Sequence, residues 1–219
     1  MKKIIIAMMA MVMPFLLTGC FLLTRQPTPR PQSQNQTTSV ESVRPGVVRA
    51  IPSSYAEFES LYNKIGDSRE GCVTLQLVAM EMYRRNSNIG ARCLKLINTD
   101  TNYTTMMRRL PEIFREGDSY ARPYLVASYF EGASPENGYN PSKPYRVDVQ
   151  ENPNQRARYS EMLQGTTYPM QVYCYGADTP WRSITLIKLD GESRYLIQDS
   201  AGLTAQCKQI HRTQTFRGL

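Results

Sequence analysis

Four of the five cysteines, the single histidine and a few carboxylates are the side chains of this 219-residue chain that could do chemistry. Cys174 or Cys207 beside His211 would make a thiolate–imidazole pair, which activates a sulfur nucleophile. Spacing tells against it, because Cys207 and His211 lie about 13 Å apart along a strand, and only a helix would let them touch. Glu131, Glu136, Asp148 and Asp178 could supply the two carboxylates that glycosidic hydrolysis uses, one as acid and one as base or nucleophile. They flank a Pro/Gly-rich stretch, where acidic residues usually stay solvated and form turns. No phosphate-cradling glycine loop, serine elbow or metal-binding helix pattern occurs. Without a CxxC pair, and with one histidine, the chain shows no zinc pattern. The sequence assigns no catalytic residue, no metal and no cofactor, and an enzyme is the less favoured reading.

The N-terminus reads as an address. Lys2 and Lys3 precede an apolar run, Ile4 to Leu17, too short for a stable membrane span. The run ends in Leu17-Thr18-Gly19-Cys20, which resembles the lipobox of bacterial lipoproteins. That resemblance implies that residues 1–19 are a signal peptide and that Cys20 receives a diacylglyceryl thioether and becomes the acylated N-terminus. Several acyl chains together anchor stably where one would be marginal. Phe21, not Asp, follows the cysteine, which directs such proteins to the outer membrane in organisms that have one. Residues 20–50 hold Pro27, Pro29, Pro31 and Pro45 among Gln, Ser and Thr, the composition of a disordered tether. Arg25, Arg30, Arg44 and Arg49 on it either attract anionic lipid and wall polymer or simply solubilise it.

Residues 51–219 remain for folding, enough for one α+β domain with a proper core. The chain carries a formal charge of +7, and removal of residues 1–19 takes away only Lys2 and Lys3, so the mature protein stays basic. The cations are scattered and no aromatic-plus-basic motif accompanies them, which with export argues against nucleic acid as partner. The partners expected are the membrane, through the lipid anchor, and an envelope protein or cell-wall polymer. With Cys20 acylated, Cys72, Cys93, Cys174 and Cys207 are an even set in an oxidising compartment. If Cys72 opens a helix and the chain then turns back, about 16 Å separates it from Cys93, beyond bridging reach. Cys174 and Cys207 both fall in strand-like runs and are the better candidate disulfide.

The elements follow from periodicity. Ser54 and Glu57 form a capping box ahead of Tyr55, Phe58, Leu61, Tyr62 and Ile65 at helical spacing, and Gly66 stops the run. Asp67 and Glu70 repeat the signature before a helix, Cys72 to Tyr83, that is apolar on nearly all sides and so belongs at the centre. Two more helices follow, the second interrupted by Pro111 and stopped near Gly117. Strand patterns come next: Tyr124 to Phe130, Arg146 to Val149, Tyr168 to Tyr175, a hairpin, and Leu203 to Ile210. In the hairpin, Asp190-Gly191 suits a type I′ turn pairing Leu186 with Tyr195 and Ile184 with Ile197. Residues 151–164 are ambiguous between loop and a short helix. Helices first and antiparallel strands after predict helices packed on one sheet face. The order resembles the roll of nuclear-transport-factor-2-like domains, a likeness of fold alone.

Between the halves lies Pro123 to Tyr145. Ser128-Tyr129-Phe130-Glu131-Gly132-Ala133, then Pro135-Glu136-Asn137, Tyr139, Pro141 and Pro144-Tyr145, resemble the signature of an uncharacterised bacterial domain family. Gly176-Ala177-Asp178 with Pro180 resembles it too, whereas Arg194-Tyr195-Leu196 departs from it where such domains tend to carry tryptophan. The resemblance implies one α+β domain and carries no activity. The favoured function is a non-catalytic binding or assembly-accessory domain on a lipid-anchored envelope protein. Tyr129, Asn137, Tyr139 and Tyr145 are its candidate binding loop, since rigid aromatics give contact area at low entropic cost. A carboxylate-using glycan hydrolase and a small-ligand carrier with a pocket between helices and sheet are the alternatives.

Overall fold

A computed structural model describes residues 43–115 and 121–219. The segment expected to be signal peptide and most of the expected tether, with Cys20, and Gly117 lie outside the described residues. The fold includes residues ahead of 51: Val47 and Val48, in the stretch expected to be tether, form strand β1 (Val47–Val48) and are buried. Apolar side chains with a partner strand leave the solvent even when prolines and arginines surround them.

Four helices follow. Ser54 caps α1 (Tyr55–Ile65), its hydroxyl accepting the Glu57 amide at 3.2 Å. The other arm of the expected box reaches one residue further back, to the Ser53 amide and hydroxyl at 2.7 and 3.0 Å. Those bonds hold the Glu57 carboxyl below its usual range. The cap of α2 (Arg69–Arg85) is Ser68, not Asp67, its hydroxyl meeting the Gly71 amide at 3.0 Å. Every residue of α2 from Gly71 to Met82 is buried, as its all-round apolar sequence requires. Asn86 caps α3 (Ser87–Ile97), and Thr99 caps α4 (Asp100–Phe114), which runs through Pro111 for another three residues.

The second layer is antiparallel. Strand β2 (Tyr145–Arg146) pairs with β1 in a small sheet. The main sheet has β3 (Val149–Glu151) and β4 (Arg158–Ser160) on one edge of β5 (Gly165–Tyr173), then β6 (Trp181–Leu189) and β7 (Leu196–Asp199). Alternation divides its faces. Met170, Val172, Ile184, Leu186 and Ile197 are buried in the core. By the same alternation Thr167, Pro169, Gln171, Tyr173, Trp181, Ser183 and Thr185 occupy the opposite face. This is the α+β layering the sequence predicts.

A polar cluster ties the layers together. Gln76 on α2, Asn98 at the end of α3, Asn102 on α4 and Ser200 after β7 are all buried. Asn98 donates to Gln76 at 2.9 Å, Gln76 to the Ser200 hydroxyl at 3.2 Å, and Asn102 to the same hydroxyl at 2.9 Å. The Ser200 amide returns a bond to Asn102 at 3.1 Å. Because each member is satisfied, the cluster fixes how the helices sit on the sheet instead of penalising the core.

Several local expectations change. Tyr124 to Phe130 is not a strand but a run of turns ending in a 3₁₀ turn, Ala127–Tyr129. Its amides at 128, 129 and 130 bond carbonyls three or four residues back, which leaves none for a ladder. The stretch 203–210 opens with a 3₁₀ turn, Ala201–Thr204, and continues as irregular chain. Residues 151–164 hold strand β4 and no helix. The hairpin is present in a register two residues from the one predicted, with Leu186 opposite Ile197 and Ile187 opposite Leu196. A type I′ turn needs positive φ at both central residues, and only Gly191 (φ 80°) has it. Tyr195 is drawn off instead, its amide toward the Gly66 carbonyl at 3.4 Å and its ring edge-on to Tyr168. A slip of two keeps the same side chains inward, so the apolar face survives.

The candidate Cys174–Cys207 disulfide is not formed: Cys72, Cys93, Cys174 and Cys207 are all free, buried thiols. Cys174 Sγ instead lies 3.2 Å from Ser128 Oγ, and Cys207 sits in irregular chain, not in a strand facing Cys174. Burial pushes the Cys207 thiol up to about 11 and that of Cys93 to about 12. These four thiols, leaving Cys20 aside, are therefore expected to react with a thiol reagent in non-reducing denaturant and to resist it in the native protein at pH 8. A count of two would restore the bridge. The shifts also set a pH dependence. Above the ordinary thiol value of 9.0 the unfolded chain releases protons that the native state retains, so stability falls with rising pH. Urea midpoints at pH 8 and pH 10.5 should differ in that direction.

Candidate functional site

The Pro123 to Tyr145 stretch is a clasp. Tyr129 and Tyr139 are 0% exposed and Tyr145 is 3% exposed, so three of the four residues of the expected binding loop lie in the core. Their polar ends are used internally: the Tyr129 hydroxyl donates to the Leu203 carbonyl and that of Tyr139 to the Lys208 carbonyl, both at 2.9 Å. Tyr139 stacks on Tyr124 with centroids 4.9 Å apart, and Phe130 tilts against Tyr145 at 5.2 Å. Asn137 is exposed, yet its side chain is occupied in capping the 3₁₀ turn Pro135–Asn137 through the Ser134 amide at 3.0 Å. The loop is shaped by rings that face inward, which removes it as an aromatic contact surface. The two stretches that carry the family signature meet here, since a β-carbon on Gly176 would lie 2.1 Å from the Tyr139 hydroxyl.

The candidate chemistry disperses. His211 is exposed and bonds the Thr213 hydroxyl at 3.0 Å, while Cys174 and Cys207 are both buried, and burial favours the thiol over the thiolate at Cys207. Asp178 pairs with Lys208 at 2.7 Å and Glu131 with Arg146 at 3.7 Å. Glu136 is fully exposed, its carboxyl lowered by hydrogen bonds at its own backbone and Ser134. Asp148 accepts the Tyr175 hydroxyl, and burial, then that bond, raises the phenol above its ordinary value. Among the described residues no three His, Cys, Asp or Glu side chains are placed to hold a metal ion. Nor is any helix among them long and apolar enough to cross a membrane.

What the fold does present is the outer face of the main sheet. Its shape starts from a proline. Pro169 sits in the middle of β5, and its carbonyl accepts the Asn152 amide at 3.0 Å on the β3/β4 side. In an antiparallel strand a residue's amide and carbonyl point to the same side, so the missing proline amide faces the gap between β3 and β4. With no donor there, residues 152–157 leave the sheet and arch beside it. The arch and the sheet enclose a groove of about 760 Å³, lined by Asn154, Gln155, Arg156, Arg158, Thr167 and Thr185 among others. Its lining contains two arginines and no carboxylate. Arg156 and Arg158 have no ion-pair partner among the described residues, and both are exposed.

The groove continues along the strands. Beyond Pro169 and Thr185 the same face carries Gln171, bonded to the Gln150 side chain at 3.1 Å, and Ser183. It ends in aromatics: Tyr173 and Trp181 are register partners whose rings meet edge-on at 5.1 Å, with Tyr175 a further 4.8 Å from Tyr173. Trp181, the only tryptophan, is 37% exposed. From Thr167 to Tyr173 the stripe runs about 20 Å at strand spacing. Periodicity predicts the strands but not the stripe, because Arg156 and Arg158 belong to the segment that is ambiguous between loop and short helix. Pro169 inside a strand pattern was the signal for the break.

A family model for a domain of unknown function, DUF6935, matches residues 50–211. No curated protein and no solved structure matches the chain. The matched span contains the helices, the clasp and the whole main sheet, so the architecture described above is that of the family's domain. The chain belongs to the DUF6935 family.

Proposed function

We propose that this protein is a lipid-anchored component of the bacterial cell envelope, acylated at Cys20 and held at the outer membrane. Its domain is a non-catalytic binding module for an envelope partner or wall polymer. The observation that carries the reading is the outer sheet face: a broad polar stripe with two arginines that have no ion-pair partner among the described residues at one end, and exposed Trp181 beside half-buried Tyr173 at the other. Binding surfaces combine anchors of this kind with polar groups that fix orientation. The carrier alternative has less support, since Cys72, Met80, Ile97, Val172, Leu186 and Ile197 belong to one continuous core where its pocket would lie. The hydrolase alternative draws on Glu131 and Asp148, both of which act on the Tyr175 phenol near the aromatic end. Each of these carboxylates is also engaged by another side chain.

The test is fractionation followed by capture. Wild-type chain should partition with membranes and carry a diacylglycerol-modified Cys20, and Cys20→Ala should appear in the soluble fraction. Detergent-solubilised wild type should retain isolated wall material, with no shortening of the glycan. Soluble wild type would contradict the anchor, and release of new reducing ends would favour the hydrolase.

A further inference from the structure

We propose that the outer sheet face binds an anionic glycan, its sugar rings against Trp181 and Tyr173 and its acid groups on Arg156 and Arg158; this rests on reading that face as the binding surface. Three features of the stripe point to one ligand class. Trp181 and Tyr173 offer apolar ring surface with polar edges, which suits a ring that is itself apolar on its faces and hydroxylated around its rim. Between the ends the side chains are amides and hydroxyls, from Gln150, Gln171, Ser183 and Thr185. Bonding between the two glutamines uses one donor and one acceptor, leaving each amide further capacity for a hydroxyl-rich partner. At the other end Arg156 and Arg158 line a groove with no carboxylate in its wall. A guanidinium pairs best with a planar carboxylate or a phosphate, in a forked geometry that lysine cannot give.

The ligand must also be extended. About 20 Å separates the arginine end from the aromatic end, several times a single sugar ring, so a monosaccharide could touch only one of them. A peptide strand would be expected to add to a sheet edge through its backbone. Here the polar groups stand on the face, where a chain lying over the sheet along the strands meets side chains alone. Wall carboxylates and polymer phosphates share the required chemistry, and the test separates them.

The full chain in detergent would be titrated with polygalacturonate, with a sugar-phosphate polymer, with neutral β-glucan and with inorganic polyphosphate. Tight binding of one or both anionic glycans is expected, with the glucan and polyphosphate weaker. Arg156→Gln with Arg158→Gln should weaken that binding by about tenfold or more, the scale of one charge-assisted hydrogen bond. Added salt should weaken it too. Trp181→Ala should do so without salt dependence of the loss. All three positions are on the surface, so thermal melts should be unchanged. The preferred anionic polymer identifies the acid as carboxylate or phosphate. Equal affinity for the neutral glucan, insensitive to the arginines, would overturn the anionic assignment. Equal affinity for polyphosphate, insensitive to Trp181→Ala, would overturn the glycan. No binding to any of the four overturns the proposal, while wall capture that persists would leave the broader reading standing.

Discussion

Tyr139→Ala is expected to cost about 3–5 kcal/mol of folding stability, the range for removing a large buried aromatic. The ring has no exposed surface, lies flat on Tyr124 at 4.9 Å and 5°, and bonds the Lys208 carbonyl through its hydroxyl. Its removal opens a cavity where the clasp meets both the turn after β5 and the C-terminal segment. It also leaves the Lys208 carbonyl without that donor. Domains are typically stable by about 5–15 kcal/mol, so the loss would take much of the total. Tyr139→Phe keeps the ring and should cost only about 1 kcal/mol, one net hydrogen bond. Urea unfolding of the three proteins measures both. A change under 1 kcal/mol for alanine would mean that the loop is a surface after all.

The second large effect is expected at Gly90. A β-carbon there would fall 2.1 Å from both the Cα and the amide nitrogen of Tyr83, so α2 and α3 touch backbone to backbone at that point. No rotamer change relieves a clash with main chain. Gly90→Ala should therefore force the helices apart and cost about 3 kcal/mol, at the upper end of overpacking effects. Alanine's better helix propensity would offset this by about 1 kcal/mol, so the clash itself must be larger than the measured loss. A neutral or stabilising substitution would show that the two helices can separate freely, in conflict with Met82, Cys93 and Leu94 being packed to 0–2% exposure.

The fold was legible where a pattern has one solution. The apolar run of α2 could only be central, and the alternation from Met170 to Cys174 could only face a core on one side. Caps slipped by one residue, as at Ser68, because neighbouring residues compete for the same amide. The hairpin register slipped by two because Tyr195 bonds outside the sheet, a tertiary contact no local pattern announces. The site was less legible. A tyrosine among prolines and glycines fits an exposed loop and a buried clasp equally well, and burial decided it for Tyr129, Tyr139 and Tyr145. A Cys174–Cys207 bridge requires both residues in facing strands, and the chain around Cys207 is not a strand. Conversely, Arg156, Arg158 and Trp181 are far apart in sequence or in ambiguous chain, and only the pairing of β4, β5 and β6, with the arch beside it, brings them to one face.

That face is the centre of the account, and side-chain footprinting tests it most directly. Hydroxyl radicals would be applied to the full chain in detergent with and without isolated wall polymer. Trp181, Tyr173 and residues 154–158 lining the groove should be protected by the polymer, while Tyr139, already shielded by the core, should react little in either state. Protection confined to residues 131–145, with Trp181 equally reactive throughout, would contradict the assignment and return the binding surface to the loop.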